Sequence, residues 1–195
     1  AIFFTVIGEP PLKMLRYMQQ LSFYDASKVG EAIRYVHLGQ DAQEGGLAKV
    51  LDRIVREVET SNPAIVVVDS FRAVVRRTLT AESGELDVQD FMQRLAIHLT
   101  SCEATTLLLG EYADEESDAS VFTVADGVVW LFQSVDRNSV VRKLQVQKMR
   151  GQAQIPGLQT MRLTQHGIKV FPRLLKPDEV PGAKGSLDTR LATGT

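Results

Sequence analysis

Runs of branched and aromatic residues alternate with amphipathic segments along the first two thirds of the chain. The apolar runs predict strands at residues 2–7, 33–38, 64–69, 105–111 and 127–132. Between them, apolar residues three and four positions apart predict helices after Pro11, from Leu47 and after Asp87. This alternation predicts an α/β fold in three layers, with a mostly parallel central sheet and helices on both of its faces.

The pattern changes after Trp130. Apolar and polar residues then alternate one by one in SVVRKLQVQKMRG (139–151) and QTMRLTQHGIKVF (159–171), which predicts antiparallel strands added at the C-terminal edge of the sheet. Residues 174–195 lose this periodicity and collect proline and glycine, as linkers do. We therefore predict one domain over residues 1–173 and a linker over 174–195.

Composition narrows the class of protein. The chain has 195 residues, a formal net charge of -2, and 44% hydrophobic and 24% charged residues, which is typical of a soluble globular domain. A near-neutral charge predicts neither a nucleic-acid nor a membrane partner, and no apolar run is long enough to span a bilayer. The single cysteine, Cys102, excludes an intramolecular disulfide framework. The expected location is the cytoplasm.

The strongest candidate for chemistry is Asp69, which ends the apolar run AIVVVD and is followed by Ser70. Nucleotide-binding α/β proteins place an acidic ligand of Mg²⁺-bound water at the carboxyl end of such a strand. The alternative is a turn or helix-capping acid. His37, His98 and His166 are far apart in the sequence, so we predict no metal site from histidines.

Seven segments in a fixed order extend this interpretation. They are FFTVIGEPP, SFYD, AIVVVDS, ATTLLLGE, ADGVVWLF, QKMRG and LTQHGIKVFP. In this order they resemble the KaiC family of RecA-like ATPases, and the closing DTRLATGT resembles the phrase that opens a second RecA-like domain. The resemblance implies ATP and Mg²⁺ as ligands, a homo-hexameric ring with nucleotide between subunits, and a second, autophosphorylating domain in the full-length protein. It carries no circadian role by itself.

The resemblance also implies roles for individual residues. Asp69 would orient Mg²⁺ through water, with Ser70 beside it, and Glu9 would align the attacking water. Gly8 stands where relatives carry the first of two adjacent glutamates, so Glu9 has a helix-start role as its alternative. The resemblance implies that Lys148 and Arg150 reach the nucleotide of a neighbouring subunit, with a solvated strand face as the alternative. It also implies ribose contacts from Gln154 and Gln165, which stand where relatives often have His and Asp. Glu111 is a weaker, sensor-like candidate.

A phosphate-binding loop is missing from these 195 residues. The glycine pair in DAQEGGLAK does not have the spacing of a phosphate loop, so we expect this chain alone to bind ATP weakly. Two functions stay open. One is an ATPase module of a KaiC-like ring, and the other is a non-catalytic RecA-like scaffold for signalling partners. A recombinase relative is a third interpretation, against which the absence of a basic strip argues.

Overall fold

The computed structural model describes residues 1–6, 11–78, 85–112 and 119–173. The chain divides into two compact units, one ending at Ala125 and the other beginning at Asp126. Each unit has its own four-stranded sheet, parallel in the first unit and antiparallel in the second.

The first unit is built on a parallel sheet with the strand order β2-β1-β3-β4. Its strands are β1 (Ile2–Thr5), β2 (Arg34–His37), β3 (Ile65–Asp69) and β4 (Thr105–Leu109). The strand register places four residues in one row at the carboxyl edge: His37, Thr5, Asp69 and Leu109. The predicted parallel sheet is confirmed, and Asp69 ends one of its two central strands.

Helices flank both faces of this sheet, as predicted. They are α1 (Pro11–Met18), α2 (Gly39–Ser61), α3 (Phe71–Thr78), α4 (Glu85–Ser101) and α5 (Ala119–Val124). One sheet face, with Phe4 and Val68 fully buried, belongs to a single apolar core with residues of α2, α3 and α4. On the opposite face, the hydroxyl of Tyr35 donates to the sulfur of Met18 in α1 at 3.9 Å.

The helix α2 consists of two helical segments joined at a kink. The amphipathic pattern predicted a helix from Leu47, and the second segment begins there, directly after the non-helical residue Gly46, with φ 62° and ψ -154°. The first segment, which begins at Gly39, was not predicted. A positive φ is open to glycine at little cost, so the glycine that broke the pattern produces a kink between two helical segments rather than a loop.

The helix α3 was not predicted, because residues 70–78 were not assigned to any element. Ser70 explains where it starts: its hydroxyl accepts a hydrogen bond from the amide of Ala73 at 3.2 Å, as a residue preceding a helix does. Phe71, Val74 and Val75 are buried and lie three and four positions apart, which is the spacing of one helix face.

The second unit is an antiparallel meander in the order β5-β6-β7-β8. Its strands are β5 (Gly127–Asp136), β6 (Ser139–Met149), β7 (Gln159–Thr164) and β8 (Gly167–Phe171). The alternation after Trp130 therefore predicted strand type correctly. However, residues 127–132 were predicted as a strand of the parallel sheet, and that assignment is wrong: β5 pairs antiparallel with β6, and most of its residues are exposed. The added strands form a sheet of their own among the described residues.

Candidate functional site

The site is built around the carboxyl end of β3. Asp69 is the last residue of that strand, and its register partners are Thr5 on one side and Leu109 on the other. The backbone carbonyl of Asp69 accepts a hydrogen bond from the amide of Val6 at 3.2 Å. The chain therefore leaves β1 at the same sheet edge at which Asp69 lies. Glu9 and Gly8 follow β1 but lie outside the described residues.

Ser70 connects this strand end to the next helix. The peptide bond between Asp69 and Ser70 is cis. Besides its hydroxyl contact, Ser70 accepts hydrogen bonds through its carbonyl from the amides of Ala73 and Val74, at 3.0 and 3.2 Å. The hydroxyl oxygen is thus engaged in starting α3, while its own hydrogen is left to donate to a ligand.

Two carboxylates interact at this edge. Burial raises the pKa of Asp69 above its ordinary value, and the negative charge of Glu111, two residues beyond β4, raises that pKa further. A divalent cation would remove this repulsion, and carboxylate oxygen is a ligand that Mg²⁺ accepts. The described residues contain no group of three His, Cys, Asp or Glu side chains able to hold a metal ion. The residues present therefore fit an ion that keeps waters and takes its other ligands from a phosphate.

An unpredicted group of side chains fixes the position of Glu111. Arg72, near the start of α3, donates a hydrogen bond to the backbone carbonyl of Glu111 at 2.5 Å, and its guanidinium lies 5.2 Å from the ring centre of Tyr112. The Tyr112 ring meets that of Phe122 edge-on at 5.3 Å. This contact chain ties the start of α3 to the residues that follow β4. A single arginine in α3 and a single tyrosine after β4 gave no sequence signal for it.

Lys148 and Arg150 lie in the second unit, at the end of β6. Lys148 is opposite Val128, and Arg150 follows the last strand residue, Met149. The guanidinium of Arg150 forms an ion pair with the Asp126 carboxylate at 3.0 Å. The backbone amide of Arg150 also donates a hydrogen bond to the backbone carbonyl of Asp126 at 2.8 Å. Asp126 is therefore the partner of a candidate site residue.

The two candidate ribose contacts are in different surroundings. Gln154 donates from its side-chain nitrogen to the carbonyl of Gln147 at 3.3 Å, and its side-chain oxygen is buried without a partner among the described residues. Gln165 is exposed in the turn between β7 and β8, with its side-chain nitrogen 3.2 Å from Nε2 of His166. The structure thus brings Asp69, Ser70 and Glu111 together in the first unit, whereas Lys148, Arg150, Gln154 and Gln165 belong to the second.

Comparison with known proteins agrees with the fold. The family model described as "ATPase: KaiC" matches residues 11–174, which is most of the chain and includes both units. No curated protein matches the chain at a significant level. Among the described residues, no helix is long and apolar enough to cross a membrane. The matched range contains three of the four parallel strands, the acid at the end of β3 and the antiparallel strands, and because this family model covers most of the chain, the chain belongs to the KaiC family of ATPases.

Proposed function

We propose that this chain is part of a KaiC-like protein that binds and hydrolyses ATP as a ring, with nucleotide held between subunits. The family match gives the general ATP-binding role. The observation that carries the finer proposal is the placement of Asp69 at the carboxyl edge of a central parallel strand, next to Glu111. In open α/β sheets, ligands bind outside this edge.

Asp69 would act on the metal that accompanies the nucleotide. Bound Mg²⁺ would offset the charge of the phosphates during phosphoryl transfer. Asp69 would hold a water of that ion, and Ser70 would donate its hydroxyl hydrogen to the same group of ligands. Arg72 holds the backbone carbonyl of Glu111, so the second carboxylate would start from this sheet edge. Glu9 would align the attacking water, and Gly8, in place of another acid, predicts slow hydrolysis.

The phosphate loop would come from outside these 195 residues. β4 pairs with β3 on one side, and within the described part of the chain no strand pairs with its other side. Leu107 and Leu109 of β4 are 49% and 42% exposed, although they belong to an apolar strand. A strand that carries the loop and pairs with β4 would satisfy its open backbone edge and bring phosphate groups to the edge where Asp69 lies, and a helix that follows this strand would cover the face with both leucines. This supports a full-length protein in which residues 1–173 are the rest of one ATPase domain.

Lys148 and Arg150 would act on the nucleotide of a neighbouring subunit in a homo-hexamer. A cation at the γ-phosphate stabilises the charge that develops in phosphoryl transfer. Arg150 and Asp126 form an ion pair whose side chains are 59% and 81% exposed, so the arginine can exchange its partner at little cost. Gln154 and Gln165 would contact the ribose. Residues 174–195 lie outside the described residues and would lead to a second domain with autokinase activity.

A non-catalytic scaffold for signalling partners is the second candidate. Gly8 favours it, because one of two acids expected beside the attacking water is missing. In that case the fold would be retained for assembly, and Asp69 and Arg150 would have no catalytic role.

Native mass spectrometry of this chain and of the longer protein, with and without Mg²⁺ and ATP, distinguishes the two candidates. The ATPase proposal expects nucleotide-loaded hexamers of the longer protein. It also expects that Asp69→Ala slows hydrolysis at least about tenfold. Asp52→Asn, an exposed acid on α2, is the matched control and should hydrolyse ATP at the normal rate. A longer protein that assembles but takes up no ATP would support the scaffold and contradict the ATPase.

A further inference from the structure

The two faces of the antiparallel sheet differ in chemistry. Strand register assigns one set of side chains to a single face, named here the cationic-aromatic face: Trp130, Phe132, Lys143, Thr160, Arg162, Lys169 and Phe171, together with Ser134, Val141, Gln145 and one acid, Asp136, at the far end of β5. The opposite face carries mainly aliphatic residues, among them Leu131, Leu144 and Val170. A sheet face that served only to pack against a core would not carry three long cationic side chains.

The aromatic and cationic residues are arranged in rows. One row crosses all four strands through the pairs Phe132–Lys143, Lys143–Thr160 and Thr160–Phe171, so it begins and ends on an aromatic ring. With neighbouring strands about 4.8 Å apart, the two phenylalanines are separated by roughly 14 Å. Phe132 and Phe171 are 39% and 37% exposed. This leaves ring surface on both sides of a central lysine accessible to a ligand.

Each end of the row has a further partner. The ring of Trp130 stacks on that of Phe132 with centroids 6.1 Å apart. At the other end, Arg162 and Lys169 lie opposite each other, and their charged groups are 5.5 and 5.3 Å from the ring centre of Phe171. Two like charges directly opposite on neighbouring strands repel each other, and a bound anion would offset this repulsion.

Charge is distributed very unevenly along the chain. Residues 126–173 contain eight lysines or arginines but only two acids, Asp126 and Asp136, which gives a formal charge of +6. Residues 1–125 contain eleven basic and nineteen acidic residues, for a formal charge of -8. The net charge of -2 therefore conceals a strongly basic second unit, and the sequence-based argument against a polyanionic partner does not apply to that unit.

We propose that the cationic-aromatic face binds single-stranded nucleic acid. Exposed rings accept unpaired bases by stacking, and the lysines and arginine between and beside them neutralise the phosphates that connect those bases. A span of about 14 Å accommodates a short run of nucleotides, whereas one mononucleotide would occupy only one end. The paired bases of a duplex do not offer their faces to such rings, so single strands are the preferred ligand.

Binding is measured on the full 195-residue chain by fluorescence anisotropy with labelled 20-nucleotide oligo-U and oligo-dT. Trp130 is the single tryptophan of the chain, so quenching of its emission reports directly on stacking at this face. We expect saturable binding at 50 mM salt with tryptophan quenching, and weaker binding to a duplex of the same length. The logarithm of the association constant should fall linearly with the logarithm of the salt concentration. Equal affinity for oligo-U and oligo-dT would assign the recognition to bases and phosphates rather than to the 2′-hydroxyl.

Adjacent residues of β6 supply a matched pair of variants. Lys143→Gln and Arg142→Gln remove the same charge, but Lys143 is on the cationic-aromatic face and Arg142 is on the other face, where it donates to Gln133. Lys143→Gln should weaken binding several-fold and reduce the salt slope by about 0.7, whereas Arg142→Gln should leave both nearly unchanged. Phe132→Leu, checked for folding by circular dichroism, should weaken binding at least about fivefold by removing a stacking surface.

Several outcomes would overturn the proposal. These are no binding at 50 mM salt, equal losses for Lys143→Gln and Arg142→Gln, or duplex binding as tight as single-strand binding. Complete competition by equimolar ATP would assign the face to mononucleotides instead, and binding to anionic phospholipid vesicles without oligonucleotide binding would assign it to a membrane surface. None of these results bears on Asp69, so the ATPase proposal is tested separately.

Discussion

Gly110 is the residue at which a small change has the clearest consequence for the candidate site. A methyl group added at this position would overlap Cε2 of Tyr112 and lie 2.8 Å from its hydroxyl oxygen, both inside contact distance. In Gly110→Ala the tyrosine ring must therefore move. The move would disturb its contact with the Arg72 guanidinium, worth about 0.5–1 kcal/mol, and its edge-on contact with Phe122, worth about 0.5–1.5 kcal/mol. Because the ring can rotate, and because alanine restricts the unfolded chain more than glycine does, we expect a net loss of about 1 kcal/mol in the free energy of unfolding.

A double-mutant cycle tests whether Tyr112 is the cause. Urea unfolding followed by circular dichroism is measured for the wild type, Gly110→Ala, Tyr112→Ala and the double variant. Once the ring is gone the methyl group has space, so Gly110→Ala should cost less than about 0.5 kcal/mol in the Tyr112→Ala background. An equal cost of Gly110→Ala in both backgrounds would refute this reasoning and assign the effect to the backbone of residue 110.

Three further predictions concern charges. Glu57 accepts a hydrogen bond from Arg34 and forms an ion pair with Arg53, and its side chain is only 17% exposed. In urea unfolding, Glu57→Gln should lower the unfolding free energy by about 1–2 kcal/mol, and Glu59→Gln, an exposed residue of the same helix, should lower it by less than about 0.5 kcal/mol. Because folding raises the pKa of Asp69, the folded chain binds its proton more tightly, and stability should fall as pH rises from about 3.8. Unfolding midpoints should show a smaller fall for Asp69→Asn, and a larger one would contradict this sign. In the longer protein, Arg150→Gln should slow ATP hydrolysis about a thousandfold, whereas Asp126→Asn, which releases Arg150, should not slow it in the same phosphate-release assay.

The sequence was a good guide to elements whose hydrophobic period is long and uninterrupted. The run ending at Asp69 and the amphipathic face from Leu47 to Val58 were both predicted correctly, since the burial of one face decides the structure there. The helix α3 was missed because its eight residues, with three arginines among them, give a short and largely polar pattern. The first segment of α2, before the kink at Gly46, was missed because glycine permits both a loop and a kink, and packing decides between them.

The candidate site was predictable only in part. A carboxylate directly after a buried strand is a local sequence pattern, and Asp69 was found from this pattern. The contact of Glu111 with Arg72 depends on two strands and a helix separated in sequence by nearly forty residues, and no local pattern encodes that meeting. In the same way, the pairing of Arg150 with Asp126 depends on the register between β5 and β6. Long-range register is what single-sequence reasoning lacks.

The strand assignment and the partner assignment were linked. Residues 127–132 were predicted to belong to the parallel sheet because GVVWLF reads as a continuous apolar run, and in that interpretation Trp130 and Phe132 are core residues. In an antiparallel meander, neighbouring residues of the same run point to opposite faces, so Leu131 joins the aliphatic face while Trp130 and Phe132 join Lys143. The change of sheet type therefore converts two presumed core aromatics into part of a basic surface. The net charge of the whole chain could not reveal this, because an acidic first unit cancels the charge of the second.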